Sequence, residues 1–446
     1  MTPNIVFLFS DQQRWDTCGC YGQRLNVTPN LDRMAREGVR FEHAFTCQPV
    51  CGPARACLQT GKYATEVGCH TNHRLLPTDE PTLARMLSEA GYDTAYIGKW
   101  HLASFGPRGG ANDFRMRPVP PERRGGYDYW LAADTLESTS HSYDGYMFDA
   151  EGRRRDFPEG RFRADVLTDW SIEYLDTRRD SAKPFFLFLS WIEPHHQNDH
   201  RHFEGPRGSR ERFADFDPPK DLVDLEGDWQ AEYPDYLGCC RSLDENVGRL
   251  FDRLEALGMA DNTLVIYTSD HGSHFRTRNS EYKRSCHDGC IRIPLIARGP
   301  GFKGGATPSN LVSLIDLPPT VLTAAGAPPP AAMRGRPLQA LVEDETASWP
   351  DAVFLQISES QCGRAIRTRR WKYSVRAPGG EGHVPSSDVY VEDCLYDLVA
   401  DPHEQINLVS DPGLAEVRRE LAQTLKRRMR AAGEAEPEIR SVAACA

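Results

Sequence analysis

The sequence predicts an α/β fold: a large, doubly wound mixed or parallel sheet flanked by helices, followed by a small antiparallel α+β unit. Two patterns predict it. Short apolar runs alternate with amphipathic segments of helical spacing, and that alternation implies parallel pairing with helices on both faces. An Ala-, Pro- and Gly-rich connection at 326–337 then precedes a change of texture to short strand-like runs and one charged helix. The 446 residues also exceed the usual single-core length of about 100–200. We therefore expect a main unit over 1–335 and a smaller one over 336–446.

Taken in order, NIVFLFS at Asn4–Ser10 suits a strand buried on both faces. Thr28-Pro29 offers a cap and a first-turn proline, with Leu31, Met34 and Ala35 at helical spacing and Gly38 as the stop. The segment 82–90 repeats the device before Gly91, and a strand follows at 93–97. PFFLFLS at 184–190 is another strand. Leu243, Val247, Leu250 and Leu254 mark an amphipathic helix that Gly258 ends, and TLVIYTS at Thr263–Ser269 is the next strand. Beyond the connection, strands are expected at 353–357, 365–369, 372–375 and 394–398, with a helix at 414–429. No internal repeat is present.

Composition narrows the function. Hydrophobic residues make up 39% and charged residues 26%, enough for a sizeable core. A net charge of −11 disfavours nucleic acid as a partner, so Arg153 to Arg155 and the arginines of 207–212 read as solvated loops. No run approaches the roughly 18 apolar residues of a membrane span. The first residues lack the basic start of a secretory signal, which makes a cytoplasmic location the expectation. Thirteen cysteines without regular spacing argue against a disulfide framework. Cys286, His287 and Cys290 suggest zinc, but a second ligand pair is missing, and free thiols are the better reading.

Chemistry gathers at strand ends. Asp11 follows the first strand and Asp270 follows TLVIYTS, and ligands of open parallel sheets collect beyond the carboxyl ends of strands. With Gln12 and His271 beside them, they form a plausible divalent-cation cage; the competing reading is that each Asp caps a following helix. In CQPVCGPARACLQTGK, Pro53 to Gly61 describes a short helix with Cys51 at its positive end and Arg55 one turn on. Such a setting lowers a thiol pKa and favours a bound anion, which allows either a thiolate enzyme or a buried cysteine.

Cys51-Gly52-Pro53-Ala54-Arg55 with Thr60-Gly61 fills every fixed position of C-x-P-x-R-x4-T-G. This resembles the signature of the type I, formylglycine-dependent sulfatases of the alkaline-phosphatase-like superfamily. Further blocks occur in family order: Gly98-Lys99-Trp100-His101, Glu193-Pro194-His195, Ser269-Asp270-His271-Gly272, and Lys283 ahead of Gly289 to Pro294. The tail, with RTRRWKY at 367–373 and Leu395 to Leu398 before Asp401-Pro402, resembles the family's C-terminal subdomain. The resemblance covers nearly the whole chain.

It implies that a formylglycine-generating maturation enzyme oxidises Cys51 to an aldehyde, whose hydrate attacks the sulfur of a sulfate ester. By family position, Asp11, Gln12, Asp270, His271 and the modified Cys51 surround one divalent ion. Arg55 would hold the formylglycine, Lys99 and Lys283 would grip sulfate oxygens, His195 would protonate the departing alcohol, and His101 would take a proton from the diol. The implied substrate is a sulfated saccharide or a small organic sulfate, as for arylsulfatase-like enzymes. His196 or His200 could touch it. His287 is either a supporting residue or a substrate contact, and Trp100 and Trp191 read as packing.

Two positions depart from the pattern. Where several members carry Asp-Asp and Asp-Asn, this chain has Asp11-Gln12 and Asp270-His271. The change softens the donor set and shifts preference away from a strict calcium cage toward a softer ion such as manganese; calcium still leads on family grounds, with magnesium also open. The same pairs look like those of phosphonate monoester and phosphodiester hydrolases, the second reading. A third is an anion-binding protein whose Cys51 stays unmodified. Substrate choice is expected to lie in loops 105–165 and 195–235.

Overall fold

The computed structural model describes residues 2–344 and 346–442. The last four residues of the second expected unit lie outside them. Nine strands form one sheet: β1 (Asn4–Ser10), β2 (Val39–Arg40), β3 (Asp93–Lys99), β4 (Tyr129–Ala133), β5 (Tyr146–Asp149), β6 (Arg154–Asp156), β7 (Phe185–Ser190), β8 (Thr263–Ser269) and β9 (Leu295–Arg298). Their order is β2-β9-β8-β1-β7-β3-β4-β5-β6. The central strands β8, β1, β7, β3 and β4 run parallel. Both edges turn antiparallel: β9 on β8 and β2 on β9 at one side, β5 on β4 and β6 on β5 at the other. The sheet is therefore mixed, with a parallel heart.

Six helices cover it: α1 (Pro29–Glu37), α2 (Cys51–Thr60), α3 (Leu83–Glu89), α4 (Arg163–Asp176), α5 (Trp229–Ala256) and α6 (Leu317–Ala324). The period-two side-chain alternation of a strand decides which go where. In β1, Ile5, Phe7 and Phe9 face a core shared with Leu58 of α2, Leu83 of α3 and Val321 of α6. Val6 and Leu8 face the opposite core, with Met34 of α1, Trp170 of α4 and Leu243 of α5. Trp100 and Trp191 are fully buried, as packing residues.

Helix ends follow local chemistry with one substitution. The Thr82 hydroxyl accepts from Arg85 N at 3.4 Å and caps α3. Thr28 makes no such bond to α1. Instead Asp244, on α5, accepts from Leu31 N at 2.8 Å and Asn30 N at 3.2 Å. Helix α5 begins well before the apolar spacing at Leu243, because its first turns bury Trp229, Tyr233 and Tyr236 in an aromatic cluster with Phe203 and Phe275. Helix α2 begins at Cys51 rather than Pro53, so Cys51 is its first residue.

The C-terminal sheet holds β10 (Ala352–Ile357), β11 (Gly363–Thr368), β12 (Trp371–Arg376), β13 (Val389–Asp397) and β14 (Glu438–Arg440). It is antiparallel through β13, with β14 added parallel at the edge. Leu421, Leu425 and Met429 of helix α7 (Ala415–Ala431) pack on Phe354, Ile366 and Tyr373. On its other side, Val353, Leu355 and Ala365 meet Phe45, Ile291 and Leu311 of the main body. Buried Asp288 adds ion pairs with Lys372 and with Arg367, the latter at 3.3 Å. That seam lies directly behind the segment from Lys283 to Ile291. No helix among the described residues is long and apolar enough to cross a membrane.

Candidate active site

The carboxyl ends of β1, β8, β3 and β7 deliver Asp11, Asp270, Lys99 and Ser190 to one crevice, where the sheet order folds back on both sides of β1. The N-terminus of α2 meets them there. Cys51 Sγ lies 3.4 Å from Asp11 Oδ1 and 3.2 Å from His271 Nε2, and Lys283 Nζ donates to it at 2.8 Å. Neither Asp caps a helix. Asp11 Oδ2 is 2.9 Å from Arg55 Nη2 and 3.0 Å from Lys99 Nζ, while Asp270 Oδ1 accepts from Gln12 N at 2.9 Å and His271 N at 2.8 Å.

Backbone strain marks the same place. Gln12 (φ 72°) and His101 (φ 61°) occupy the left-handed region without being glycine. The turn at Gln12 is held by Tyr236, whose hydroxyl donates to Gln12 O at 2.6 Å and accepts from Arg14 N at 2.8 Å. Gly98 (φ 113°) lets β3 pass so close to Ser190 that a Cβ would overlap its carbonyl. Beyond β3, Arg55 Nη1 donates to Ser190 Oγ at 2.7 Å and Lys99 O at 2.9 Å, which fixes the guanidinium between strands.

The electrostatics are those of a buried, charge-dense pocket. Burial alone would raise the Asp11 pKa, but Lys99, His195, Arg55 and Lys283 hold it well below the carboxylate range. Asp270 is pushed up to about 7 by burial and by the nearby Asp11. Burial and Asp11 also push the Cys51 thiol up to about 12. This corrects the expectation that the helix end and Arg55 would lower it, because Arg55 is engaged by the two carboxylates. Burial, with neighbouring cations, holds His101, His195 and His271 well below their usual value.

Most of the expected residues converge. Lys283 Nζ lies 3.3 Å from His195 Nε2 and 3.4 Å from His271 Nε2, and His195 Nε2 is 4.0 Å from Asp11 Oδ1. His101 is buried with both ring nitrogens unpartnered, its ring 5.3 Å from that of His73. Gln12 sits at the wall: its amide nitrogen donates to Ser273 Oγ at 3.3 Å, and Oε1 accepts from His196 N at 3.5 Å. His196 stacks on Tyr282 with centroids 4.9 Å apart, and His200 bonds Glu204. His287 bonds Ser285 Oγ at 3.1 Å and Tyr396 Oη at 3.0 Å, at the seam with the C-terminal sheet.

Sequence reasoning missed Glu137, Ser190 and Tyr282. Glu137 Oε2 is 3.2 Å from Lys99 Nζ, and its carboxyl sits at about 2 because Lys99 and His195 outweigh the effect of burial. It lies in a short 3-10 turn with no periodic signal. Ser190 was legible as the last residue of a strand aimed at the crevice. Tyr282 lies under the Lys283 ammonium and donates to Asn198 Oδ1 at 2.6 Å.

The donor set suits a cation. Among the described residues, one ligand atom each from Asp11, Cys51, Asp270 and His271 lie within 4.8 Å of one another. Asp270 Oδ2 is buried and makes no hydrogen bond, with Arg55 Nη2 3.5 Å away as an ion-pair partner. His271 Nδ1–H donates to Gly272 O at 2.9 Å, which leaves the Nε2 lone pair facing the group.

The sulfatase family profile matches residues 3–327, and a profile described as N-sulphoglucosamine sulphohydrolase, C-terminal, matches 281–431. The chain belongs to the sulfatase family. It is a sulfuric ester hydrolase on an alkaline-phosphatase-like fold. This sulfatase is 27% identical to an N-acetylglucosamine-6-O-sulfatase of Bacteroides thetaiotaomicron, over 95% of this chain and 86% of the relative. It superimposes with a TM-score of 0.78 on a protein solved in complex with its substrate D-glucosamine-2-N,6-O-disulfate, at 27% identity and covering 98% and 99% of the two chains. A phosphonate monoester hydrolase of Agrobacterium radiobacter shares the fold, with a TM-score of 0.76 at 23% identity over 96% of each chain.

Proposed function

We propose that this sulfatase removes sulfate from a sulfated carbohydrate, with residue 51 working as formylglycine beside one divalent cation. The observation that carries the proposal is the convergence of Cys51 with Asp11, Asp270 and His271 in a buried pocket ringed by Arg55, Lys99 and Lys283. Asp11, Gln12, Asp270, His271 and the modified residue 51 would hold the ion. Calcium is the leading identity, and the imidazole keeps manganese and magnesium open. When bound, the ion acidifies a hydroxyl of the hydrated aldehyde and offsets negative charge on the transferring group.

The chain's own residues do the rest. Arg55, locked by Asp11 and Ser190, orients the residue 51 side chain. Lys99 and Lys283 hold sulfate oxygens, where charge must be stabilised away from water. His195 Nε2 protonates the departing alcohol; the negative charge of a bound ester raises its depressed pKa toward the working range. His101 takes a proton from residue 51 as sulfate leaves and the aldehyde returns.

The carbohydrate reading rests on the space beside these groups. A cavity of about 350 Å³ is lined by Glu137, His73, Arg115, His141, Asn198 and Asp199 among others, and has the polar walls a hydroxylated leaving group requires. All of these but His73 come from the two loops expected to govern substrate choice. The relatives named for glucosamine sulfates make a 6-O-sulfated glucosamine the first compound to test.

Intact mass and peptide mapping of protein from its native host test the nucleophile: conversion of the Cys51 CH2SH group to an aldehyde is expected. Finding only the thiol would leave an anion-binding protein. Matched assays on 6-O-sulfated glucosamine, an aryl sulfate and a phosphonate monoester test the reaction. A higher kcat/KM on the phosphonate would make the phosphonate hydrolase reading the correct one.

A further inference from the structure

Sequence spacing offers Cys286, His287 and Cys290 as neighbours. The fold replaces the third member: Cys394, from β13, comes within reach of Cys286 and His287, one ligand atom of each lying within 4.8 Å of the others. The group sits at the seam between the C-terminal sheet and the segment that carries Lys283. Cys286 is only three residues beyond that lysine.

The arrangement favours sulfur–sulfur chemistry over a metal. Both ring nitrogens of His287 are already engaged, Nδ1 with Ser285 Oγ at 3.1 Å and Nε2 with Tyr396 Oη at 3.0 Å. That leaves the two thiols to each other, their sulfurs within 4.8 Å. Cys286 is buried and Cys394 half-buried, so Cys394 is the one of the pair with residue surface left to meet an oxidant. Among the described residues, Cys20 is the only other cysteine that is not fully buried.

We propose that Cys286 and Cys394 form a reversible disulfide that ties the Lys283 segment to the C-terminal sheet. The oxidant is a low-molecular-weight disulfide such as oxidised glutathione. The Cys394 thiolate attacks one sulfur of the oxidant, which releases one thiol and leaves a mixed disulfide on Cys394. Cys286 then gives up its proton to the released small thiolate and attacks Cys394 Sγ, and the second small thiol departs. Two protein thiols are oxidised, one disulfide is reduced to two thiols, and the two protons pass to the leaving thiolates. The neighbouring Cys286 thiol draws the Cys394 thiol below its usual value, which suits the attacking role; the same contact, with burial, pushes Cys286 up. Cys20, by contrast, is pushed up to about 12 by burial and Asp32.

The test treats the full-length folded protein with oxidised glutathione and maps its cross-linked peptides by mass spectrometry, before and after a reductant. A Cys286–Cys394 peptide that disappears on reduction is expected, with a rise in Tm of roughly 5 °C on oxidation. Cys286→Ser is expected to stop at a glutathione adduct on Cys394, and Cys394→Ser to lose both adduct and cross-link. Each variant removes one small buried or half-buried group, and the reduced Tm of each reports whether it folds. A wild-type protein that holds only a stable glutathione adduct, pairs Cys394 with a different cysteine, or retains a metal at the two thiols under chelation would overturn the proposal.

Discussion

Replacing Lys283 with methionine keeps the apolar stem and removes the ammonium that donates to Cys51 Sγ at 2.8 Å and touches His195 and His271 at 3.3 and 3.4 Å. The group is buried, so its contribution to developing charge is large. Loss of one preorganised donor in such a site costs roughly 2.7–4 kcal/mol, or about 10²–10³ in kcat. The folded protein should hardly notice. Asp11 keeps Arg55 and Lys99 as partners, no carboxylate is orphaned, and the unfolding free energy is expected to change by no more than about 1 kcal/mol. Steady-state kinetics on an aryl sulfate, beside a urea titration of the same sample, separate the two quantities. A kcat within about threefold of the parent, with the whole effect in KM, would mean that Lys283 only anchors the ground state, and the transition-state role would fall.

Tyr236→Phe strips the hydroxyl shared by Gln12 O and Arg14 N, leaving two buried backbone groups unpaired; a loss of about 1–3 kcal/mol in urea unfolding is expected, with kcat reduced as the turn after Asp11 relaxes. No loss of either would show that the left-handed turn at Gln12 needs no such support. Arg163→Met leaves the Glu193 carboxylate, 2.8 Å from Arg163 Nε, buried without its cation, and about 3–5 kcal/mol of stability should go with it. A double variant that also carries Glu193→Gln is expected to recover part of that loss. Asp244 is pushed up to about 6 by burial. The folded state therefore holds its proton where the unfolded chain, near 3.8, has released it, so its effect on stability is most favourable in acid and fades as pH rises from about 4 to 6. Asp244→Asn should remove up to about 3 kcal/mol of that fall from the stability–pH curve, and parallel parent and variant curves would refute the assignment.

How much of this was legible depends on whether the signal is local. The strands Asn4–Ser10 and Thr263–Ser269 could be read to the residue, because a central parallel strand is apolar on both faces and its run ends where the crevice begins. The edge strands Tyr146–Asp149 and Arg154–Asp156 carry no such run, since one side meets solvent and charges interrupt them, and they went unread. The same division holds at the site. Asp11, Cys51, Arg55, Lys99, Asp270 and Lys283 sit at strand ends or in a fixed motif, and the fold brings them together. Glu137 and Tyr236 act on that group from a 3-10 turn and the first turns of a long helix, where a lone acid or tyrosine looks like any other. Even electrostatic sense escaped the local rule. A cysteine opening a helix beside an arginine reads as an acidic thiol, yet burial, and after it the Asp11 carboxylate that also claims the arginine, pushes the thiol the other way. A thiol held protonated in this pocket is a poor nucleophile, which supports the proposed conversion of residue 51 to formylglycine.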